Sequence, residues 1–180
     1  MIITAGIYKG RKVTAPDEKI VRPTLSKIRE SIFNTLFSMM DFNSKTFLDM
    51  FAGSGIMGLE ALSRGFESVL ALEKNPKVAK ILKGNYENIK IAPNLIIGDS
   101  LEQKIKKQFD VIYLDPPYFS GIYEKSLEKI KKDSLLKDNG VVILEHVTEI
   151  CWNDFGFELI KQKKYSGKFV TFLTIDCFTR

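Results

Sequence analysis

Apolar residues recur along the chain in short runs that alternate with segments of helical periodicity. The runs are bounded by glycine, proline or polar residues and predict five β-strands, at 46–52, 68–73, 94–98, 109–114 and 140–145. Before and between these strands, segments with apolar residues spaced three or four positions apart predict helices, at 25–40, 56–64, 76–89, 101–107 and 122–136. Thr24 is expected to cap the first of these helices.

Strands that are separated by helices predict an α/β fold, with a mostly parallel sheet and helices on both of its faces. The strands at 109–114 and 140–145 are almost entirely apolar, which is typical of strands buried on both faces. Residues 157–163 and 168–178 add two strands around a Ser166-Gly167 turn. Because no helix separates this last pair, we expect an antiparallel hairpin at one edge of a seven-stranded sheet.

Residues 1–23 precede this pattern and hold short β-like pieces, two glycines and two prolines. We interpret them as an extended N-terminal β arm that contributes few residues to the core. With 180 residues in all, the arm and residues 24–180 together suit one compact domain.

The composition, 44% hydrophobic and 27% charged, is that of a globular domain in water. No apolar run approaches membrane-spanning length, and the first residues lack the basic-then-apolar layout of a signal peptide. Cys151 and Cys177 show neither metal-ligand nor C-x-x-C spacing, so we expect a reduced, cytoplasmic setting and no metal.

Basic residues are concentrated at the two ends of the chain, within a formal net charge of +5. Residues 1–30 hold seven lysines and arginines against three acidic residues. A second basic group near the C-terminus consists of Lys161, Lys163, Lys164 and Lys168. Clusters of this kind favour a polyanionic partner such as nucleic acid, although a solvated lysine-rich surface explains them equally well.

The predicted strand at 46–52 runs into a glycine-rich loop. Gly53, Gly55 and Gly58 have the G-x-G-x-x-G spacing of dinucleotide-binding loops. Glycines let such a loop turn tightly, and the helix that follows presents free N–H groups to an anionic group. The spacing alone does not distinguish NAD from S-adenosylmethionine, or either from a plain structural turn.

Two acidic residues close the next strands, at the sheet edge where α/β proteins bind ligands. Glu73 can accept hydrogen bonds from both hydroxyls of a ribose, in either cofactor. Asp99 can accept one from an adenine amino group. It can equally well cap the predicted helix at 101–107, because aspartate is a favoured N-cap.

The segment Asp115-Pro116-Pro117-Tyr118 follows a buried strand and decides between the cofactors. Two prolines make a stiff loop that holds one carboxylate, exposed carbonyls and one aromatic ring. The Asp115 carboxylate and the Pro116 carbonyl can accept the two N–H groups of an exocyclic amine on a base, which orients its nitrogen for methylation. Tyr118 offers a stacking face for the displaced base.

These segments resemble known methyltransferases. Residues 47–55 are similar to motif I of class I, Rossmann-like methyltransferases, and 115–118 to the motif IV of enzymes that methylate amino groups. The chain as a whole resembles the bacterial 16S ribosomal RNA (guanine-N2)-methyltransferases of the RsmD type. That family's arm pattern is matched by Gly6 to Val13, by Arg22-Pro23-Thr24 and by Arg29 to Asn34, and its G-L-E-A-L-S-R stretch by Gly58 to Arg64.

The resemblance implies transfer of a methyl group from S-adenosylmethionine to the N2 amino group of a guanine in 16S ribosomal RNA, by a monomer acting on an assembling or assembled small subunit. It implies a catalytic core at 24–180 and an RNA-binding arm at 1–23, with RNA contacts from Lys9, Arg11, Lys12, Arg22 and Arg29. The catalytic loop would be Asp115, Pro116, Pro117 and Tyr118. The cofactor pocket would comprise Asp49, Phe51, Ala52, Gly53, Ser54, Gly55, Glu73, Lys74, Asp99 and Ser100.

Three other functions are compatible with parts of the sequence. An amino-methyltransferase acting on adenine or cytosine, in another RNA or in DNA, would use the same loop, although the chain has no room for a separate DNA-recognition domain. An NAD-dependent dehydrogenase accounts for the glycines and Glu73 but not for 115–118. A non-catalytic RNA-binding protein on a methyltransferase scaffold would not need an intact pocket. His146, the one histidine, is expected to have a structural or surface role, and Trp152 is expected to pack and not to stack on a base.

Overall fold

The computed structural model describes residues 1–16, 26–117, 121–165 and 167–175. The chain divides into two compact units, Met1–Ser100 and Leu101–Arg180. Within the described ranges, no helix is long and apolar enough to cross a membrane. Thr24, the predicted cap of the first helix, lies outside the described residues.

The described part of the first unit alternates helices with parallel strands. Its helices are α1 (Ser26–Phe37), α2 (Ile56–Ser63) and α3 (Pro76–Glu87), and its strands are β1 (Thr46–Asp49), β2 (Ser68–Glu73) and β3 (Leu95–Ile97). The strands lie in the order β3-β2-β1, with Leu48 beside Leu70 and Leu72 beside Ile96. All four residues of β1 are buried, the polar Thr46 and Asp49 as well as the two apolar residues between them.

Aromatic side chains form much of the core of this unit. The Phe33 ring of α1 stacks on Phe47 of β1, with ring centroids 6.1 Å apart. Phe42 and Phe66 stack at 4.6 Å beside them. Burying each ring contributes roughly 1.5–3 kcal/mol, so this cluster holds α1 on the strand that leads into the glycine loop.

Residues 1–16 belong to the first unit and supply part of its core. Ile3 and Val13 are buried, and an antiparallel bridge joins Ile2 to Lys12. These core residues are few, as expected of the arm, but they tie it to the unit. Ile3 and Val13 pack inward, whereas the basic residues Lys9, Arg11 and Lys12 stay exposed.

Buried polar side chains of α2 and α3 bind the backbone of residues 1–16. Glu60, completely buried, accepts a hydrogen bond from the Thr4 N–H at 2.7 Å. The Asn85 amide accepts from the Thr14 N–H at 2.8 Å and donates to the Thr14 carbonyl at 2.9 Å. Because an unpaired buried polar group costs about 1–3 kcal/mol, these contacts fix the arm in one register.

The second unit continues the alternation and ends in a hairpin. Its elements are β4 (Phe109–Leu114), α4 (Ile122–Lys132), β5 (Leu136–His146), a 3₁₀ turn (Trp152–Phe155), β6 (Phe157–Tyr165) and β7 (Lys168–Ile175). The strand order is β4-β5-β7-β6. β4 and β5 are parallel, whereas β7 pairs antiparallel with both β5 and β6.

The seven strands belong to one mostly parallel sheet with an antiparallel C-terminal hairpin. The predicted Rossmann-like α/β fold, with a mostly parallel seven-stranded sheet and a C-terminal antiparallel hairpin, is therefore confirmed. β2 and β4 have the predicted bounds, and the predicted hairpin turn falls between β6 and β7.

Two predicted helices differ from the structure. Residues 101–107 are not helical, since a segment of seven residues with a single buried apolar side chain, Ile105, is too short to sustain a helix. α4 ends at Lys132, although the prediction extended it to 136. Just beyond its end, Ser134 adopts φ 50° and reverses the chain. Leu136 then begins β5 beside Phe109, so the apolar residues that extended the helical pattern belong to the sheet.

Candidate active site

The loop after β1 is shaped by glycines at positions where side chains would collide with α3. Gly55 begins α2 with φ 80°, in the left-handed region. A Cβ atom on Gly55 would lie 2.8 Å from Leu82 Cγ, and one on Gly58 would lie 2.3 Å from the Tyr86 hydroxyl. The glycine spacing therefore lets α3 pack directly against the loop backbone.

Buried polar side chains bind the backbone of this loop. Asp49 is 1% exposed, and its Oδ1 accepts from the Phe51 N–H at 3.4 Å. The Asn85 amide, which also binds the arm, donates to the Ser54 carbonyl at 2.9 Å. Burial and the nearby Asp49 charge raise the pKa of Tyr86, so its hydroxyl stays protonated.

Glu73 at the end of β2 bridges the loop and the start of α3. Its Oε2 accepts from the Gly53 N–H at 2.9 Å and its Oε1 from the Asn75 N–H at 2.7 Å. Partial burial raises the pKa of Glu73 despite these hydrogen bonds, which favour the ionised form. The Lys74 N–H also binds this carboxylate, and the half-buried group keeps some acceptor capacity for hydroxyl groups.

The residues after β3 form a second polar group. Asp99 pairs with the exposed Lys74 ammonium at 2.7 Å. The Ser100 hydroxyl is buried and has no hydrogen-bond partner among the described residues. No helix begins at Leu101, so the capping alternative for Asp99 does not hold.

In the second unit, Asp115 and Pro116 follow β4 directly. The Asp115 side chain is 17% exposed and lies 3.8 Å from the ammonium of Lys168. Pro116 is buried, whereas Pro117 is exposed. The segment thus presents a partly accessible carboxylate on a backbone that proline stiffens. Tyr118 lies outside the described residues.

Sequence reasoning missed the surroundings of Asp115. Lys168 is only 8% exposed, although it had been grouped with the surface lysines of the hairpin. Its ammonium lies 3.0 Å from Glu145 Oε2, and Glu145 is completely buried at the end of β5. The signal was the strand period of two, because Lys168 shares its phase with the buried Val170 and Phe172.

The predicted RNA-binding residues fall into three groups. Lys9, Arg11 and Lys12 are exposed on the arm. Arg22 lies outside the described residues. Arg29 is 1% exposed, lies 3.6 Å from Glu60 and donates to the Ile2 carbonyl at 2.8 Å. The prediction of an RNA contact for Arg29 is therefore wrong in this structure, because its guanidinium anchors the arm.

His146 is buried at the end of β5, as a structural role requires. Its ring nitrogens lie 2.6 Å from the Thr148 carbonyl and 2.7 Å from the Thr171 hydroxyl, and its ring stacks on Phe169 at 5.5 Å. Burial lowers its pKa, so the imidazole stays neutral.

The same arrangement of strands and helices is found in solved methyltransferases. A protein of Escherichia coli that carries the provisional name methyltransferase yhhF matches this chain with a TM-score of 0.83, at 25% identity and over 98% of both chains. The glycine loop after β1, the acidic residues after β2 and β3 and the Asp115-Pro116 segment after β4 all lie at carboxyl ends of strands. The fold and these residues define a class I, Rossmann-like methyltransferase.

Relatives that are similar in sequence identify the family within this class of methyltransferases. The family described as Conserved hypothetical protein 95 matches residues 1–174. Ribosomal RNA small subunit methyltransferase D of Haemophilus influenzae is 34% identical over 150 residues, which cover 79% of this chain and 77% of that protein. The protein of the same name from Buchnera aphidicola is 35% identical over 149 residues, covering 79% and 76%. The chain belongs to this family, the RsmD type.

Proposed function

We propose that this protein, as a cytoplasmic monomer, transfers a methyl group from S-adenosylmethionine to the exocyclic N2 amino group of a guanine in 16S ribosomal RNA, within an assembling or assembled small subunit. One observation carries the proposal. A partly exposed carboxylate and a proline-stiffened backbone follow β4 in a chain whose relatives are named as small-subunit ribosomal RNA methyltransferases.

The first unit has the polar groups that the donor requires. The remaining acceptor capacity of the Glu73 carboxylate, beside its backbone hydrogen bonds, is assigned to the ribose hydroxyls. The unpartnered Ser100 hydroxyl, beside Asp99, suits the polar edge of the adenine. The backbone of Gly53 and Gly55, held by Asp49 and its neighbours, lets the donor approach closely. When bound, S-adenosylmethionine supplies an activated methyl group on a sulfonium sulfur.

The Asp115 segment supplies what the acceptor amine lacks. The lone pair of an exocyclic amine is delocalised into the base, so the nitrogen is a weak nucleophile. The ionised Asp115 carboxylate and the Pro116 carbonyl accept its two N–H groups and direct the lone pair at the methyl group. As the nitrogen gains the methyl group it becomes positively charged, and Asp115 stabilises that charge until a proton leaves. Tyr118 is assigned to stacking on the extruded base, worth roughly 1–3 kcal/mol.

The arm is assigned to the RNA backbone. Lys9, Arg11 and Lys12 are exposed on a segment whose opposite side is packed into the first unit. Contacts between such side chains and phosphates position RNA without reading its sequence. Arg22 is assigned the same role on the strength of its place in the arm sequence.

The test uses purified protein, labelled S-adenosylmethionine and either naked 16S RNA or small subunits from a strain that lacks the enzyme. We expect the label at one guanine N2, located by mass mapping. Asp115→Ala should abolish transfer while affinity for S-adenosylhomocysteine stays within twofold, because the carboxylate binds the acceptor and not the donor. Label found on an adenine or cytosine would show that this base, and not guanine, is the acceptor. A protein that binds NAD but does not bind S-adenosylhomocysteine would refute the proposal.

A further inference from the structure

Lys168, at the first position of β7, is buried beside the residue assigned to the acceptor amine. Its ammonium lies 3.8 Å from Asp115 Oδ1 and 3.0 Å from Glu145 Oε2. Glu145 is fixed in turn, since its Oε1 accepts from the Tyr113 hydroxyl and its backbone carbonyl from the Tyr123 hydroxyl. Side chains from β4, β5, β7 and α4 therefore converge on one charged cluster.

Stability alone does not explain such a cluster. Taking Lys168 and Glu145 out of water carries a desolvation cost that their attraction does little more than offset, and well-packed apolar residues often serve a fold equally well or better. The rest of β7 is largely apolar. The cluster also opens toward solvent at Asp115, the member with a side chain 17% exposed.

We propose that Lys168, held in place by Glu145, is a positioning residue that keeps the Asp115 carboxylate ionised and oriented for the acceptor amine. The inference rests on the proposed function. An ammonium within about 4 Å favours the charged form of a carboxylate, and an ionised carboxylate can only accept hydrogen bonds. Both properties are needed to bind the N–H groups of an amine.

Glu145 gives the cluster the correct total charge. Lys168 alone would cancel the Asp115 charge and repel the positive charge that develops on the methylated nitrogen. With Glu145 ionised as well, two carboxylates and one ammonium leave one net negative charge beside the acceptor. Lys168 thus holds Asp115 ionised without removing the electrostatic stabilisation that methyl transfer needs.

The other titratable groups on the elements around this cluster are accounted for. Asp110 of β4 is paired with Lys137 at 2.7 Å. Burial keeps His146 of β5 neutral, and its ring nitrogens lie against Thr148 and Thr171. On α4, Tyr123 binds the Glu145 carbonyl and Lys129 pairs with Asp133 at 2.6 Å, while Glu124 Oε2 is buried with no hydrogen-bond partner among the described residues. On β6, Tyr165 lies opposite Lys168 in the strand register. Lys168 thus places its ammonium within 4 Å of the Asp115 carboxylate.

The test measures the titration of Asp115 directly, and measures it again through the pH dependence of the reaction. In the full chain, the carboxyl carbon of Asp115 is followed by NMR against pH and assigned with Asp115→Asn. We expect Lys168→Met to raise the pKa of Asp115 by about 1 unit or more. The acid limb of kcat for RNA methylation should move to higher pH by the same amount, with affinity for S-adenosylhomocysteine unchanged. Lys168→Arg should restore the wild-type profile.

Two further variants keep the outcome interpretable. Lys168→Met leaves the Glu145 carboxylate buried without its ammonium partner, which destabilises the fold. The double variant, Lys168→Met with Glu145→Gln, removes both charges and keeps an acceptor for the Tyr113 hydroxyl, and therefore guards against misfolding. Lys132→Met, at an exposed position of α4, removes the same charge and should shift nothing. An unchanged Asp115 titration in folded Lys168→Met and in the double variant would overturn the inference. Absence of methyl transfer by the wild-type protein would instead overturn the proposed function, and the NMR titration would still decide on Lys168.

Discussion

At the scale of single residues, Glu73 links the local structure to the proposed cofactor. Its two oxygens bind the backbone of Gly53 and Asn75, so it shapes the loop, and we propose that it also binds the ribose. Glu73→Ala should weaken binding of S-adenosylhomocysteine more than tenfold by calorimetry, because two charge-assisted hydrogen bonds are lost. Glu87→Ala, which removes an exposed carboxylate from the end of α3, should leave the affinity unchanged. Equal affinities for the two variants would place the pocket elsewhere.

The direction of the pKa shift of Glu73 predicts how cofactor binding depends on pH. Burial raises the pKa of Glu73, so it takes up a proton at a higher pH than an ordinary glutamate. The protonated form loses acceptor capacity, and the affinity should therefore be constant above this raised pKa and fall as the pH drops through it. Glu73→Gln should bind more weakly at neutral pH and lose this dependence. A wild-type affinity that stays flat across the acid range would contradict the assignment.

At the scale of elements, the packing of α3 on α2 determines the shape of the glycine loop. A methyl group at Gly58 would meet the Tyr86 hydroxyl at 2.3 Å. Gly58→Ala should lower the free energy of unfolding by about 1–3 kcal/mol through overpacking and weaken cofactor binding. Adding Tyr86→Phe, which removes the hydroxyl, should recover part of both losses.

Gly84 provides the matched control for that substitution. It lies in α3, and a Cβ atom there would meet nothing within 4 Å. Gly84→Ala should therefore raise the free energy of unfolding in urea by about 0.5–1 kcal/mol, the ordinary helical preference for alanine. If both alanine substitutions stabilise the protein, contact with α3 is not what requires glycine at position 58.

At the scale of the whole molecule, the arm combines a structural face with a charged one. Arg11→Glu with Lys12→Glu changes exposed side chains only, so S-adenosylhomocysteine binding should be unaffected. Methylation of RNA or of the small subunit should be largely lost, and the salt dependence of RNA binding should become shallower because fewer phosphates are contacted. Lys80→Glu with Lys83→Glu, an equal charge change on α3, is the control. Near-normal methylation by the arm variant at physiological salt would show that RNA is recognised elsewhere.

The sequence by itself determined the class of fold and the positions of the candidate chemical groups. Strands such as β2 and β4 were predictable because buried parallel strands are short, nearly continuous apolar runs bounded by turn residues. The glycine loop, Glu73 and Asp115 were predictable because each follows such a run, and parallel strands bring these ends to one edge of a sheet. Both signals are local, so a single sequence contains them.

Only the tertiary structure decided which partners the buried charged residues contact. Arg29 and Lys168 look like surface cations in the sequence, yet one pairs with Glu60 inside the first unit and the other with Glu145 inside the second. Their partners lie 31 and 23 residues away, beyond the reach of any helical or strand period. A buried charge is stable only where the fold supplies the opposite charge, and that pairing depends on long-range packing that no local pattern records.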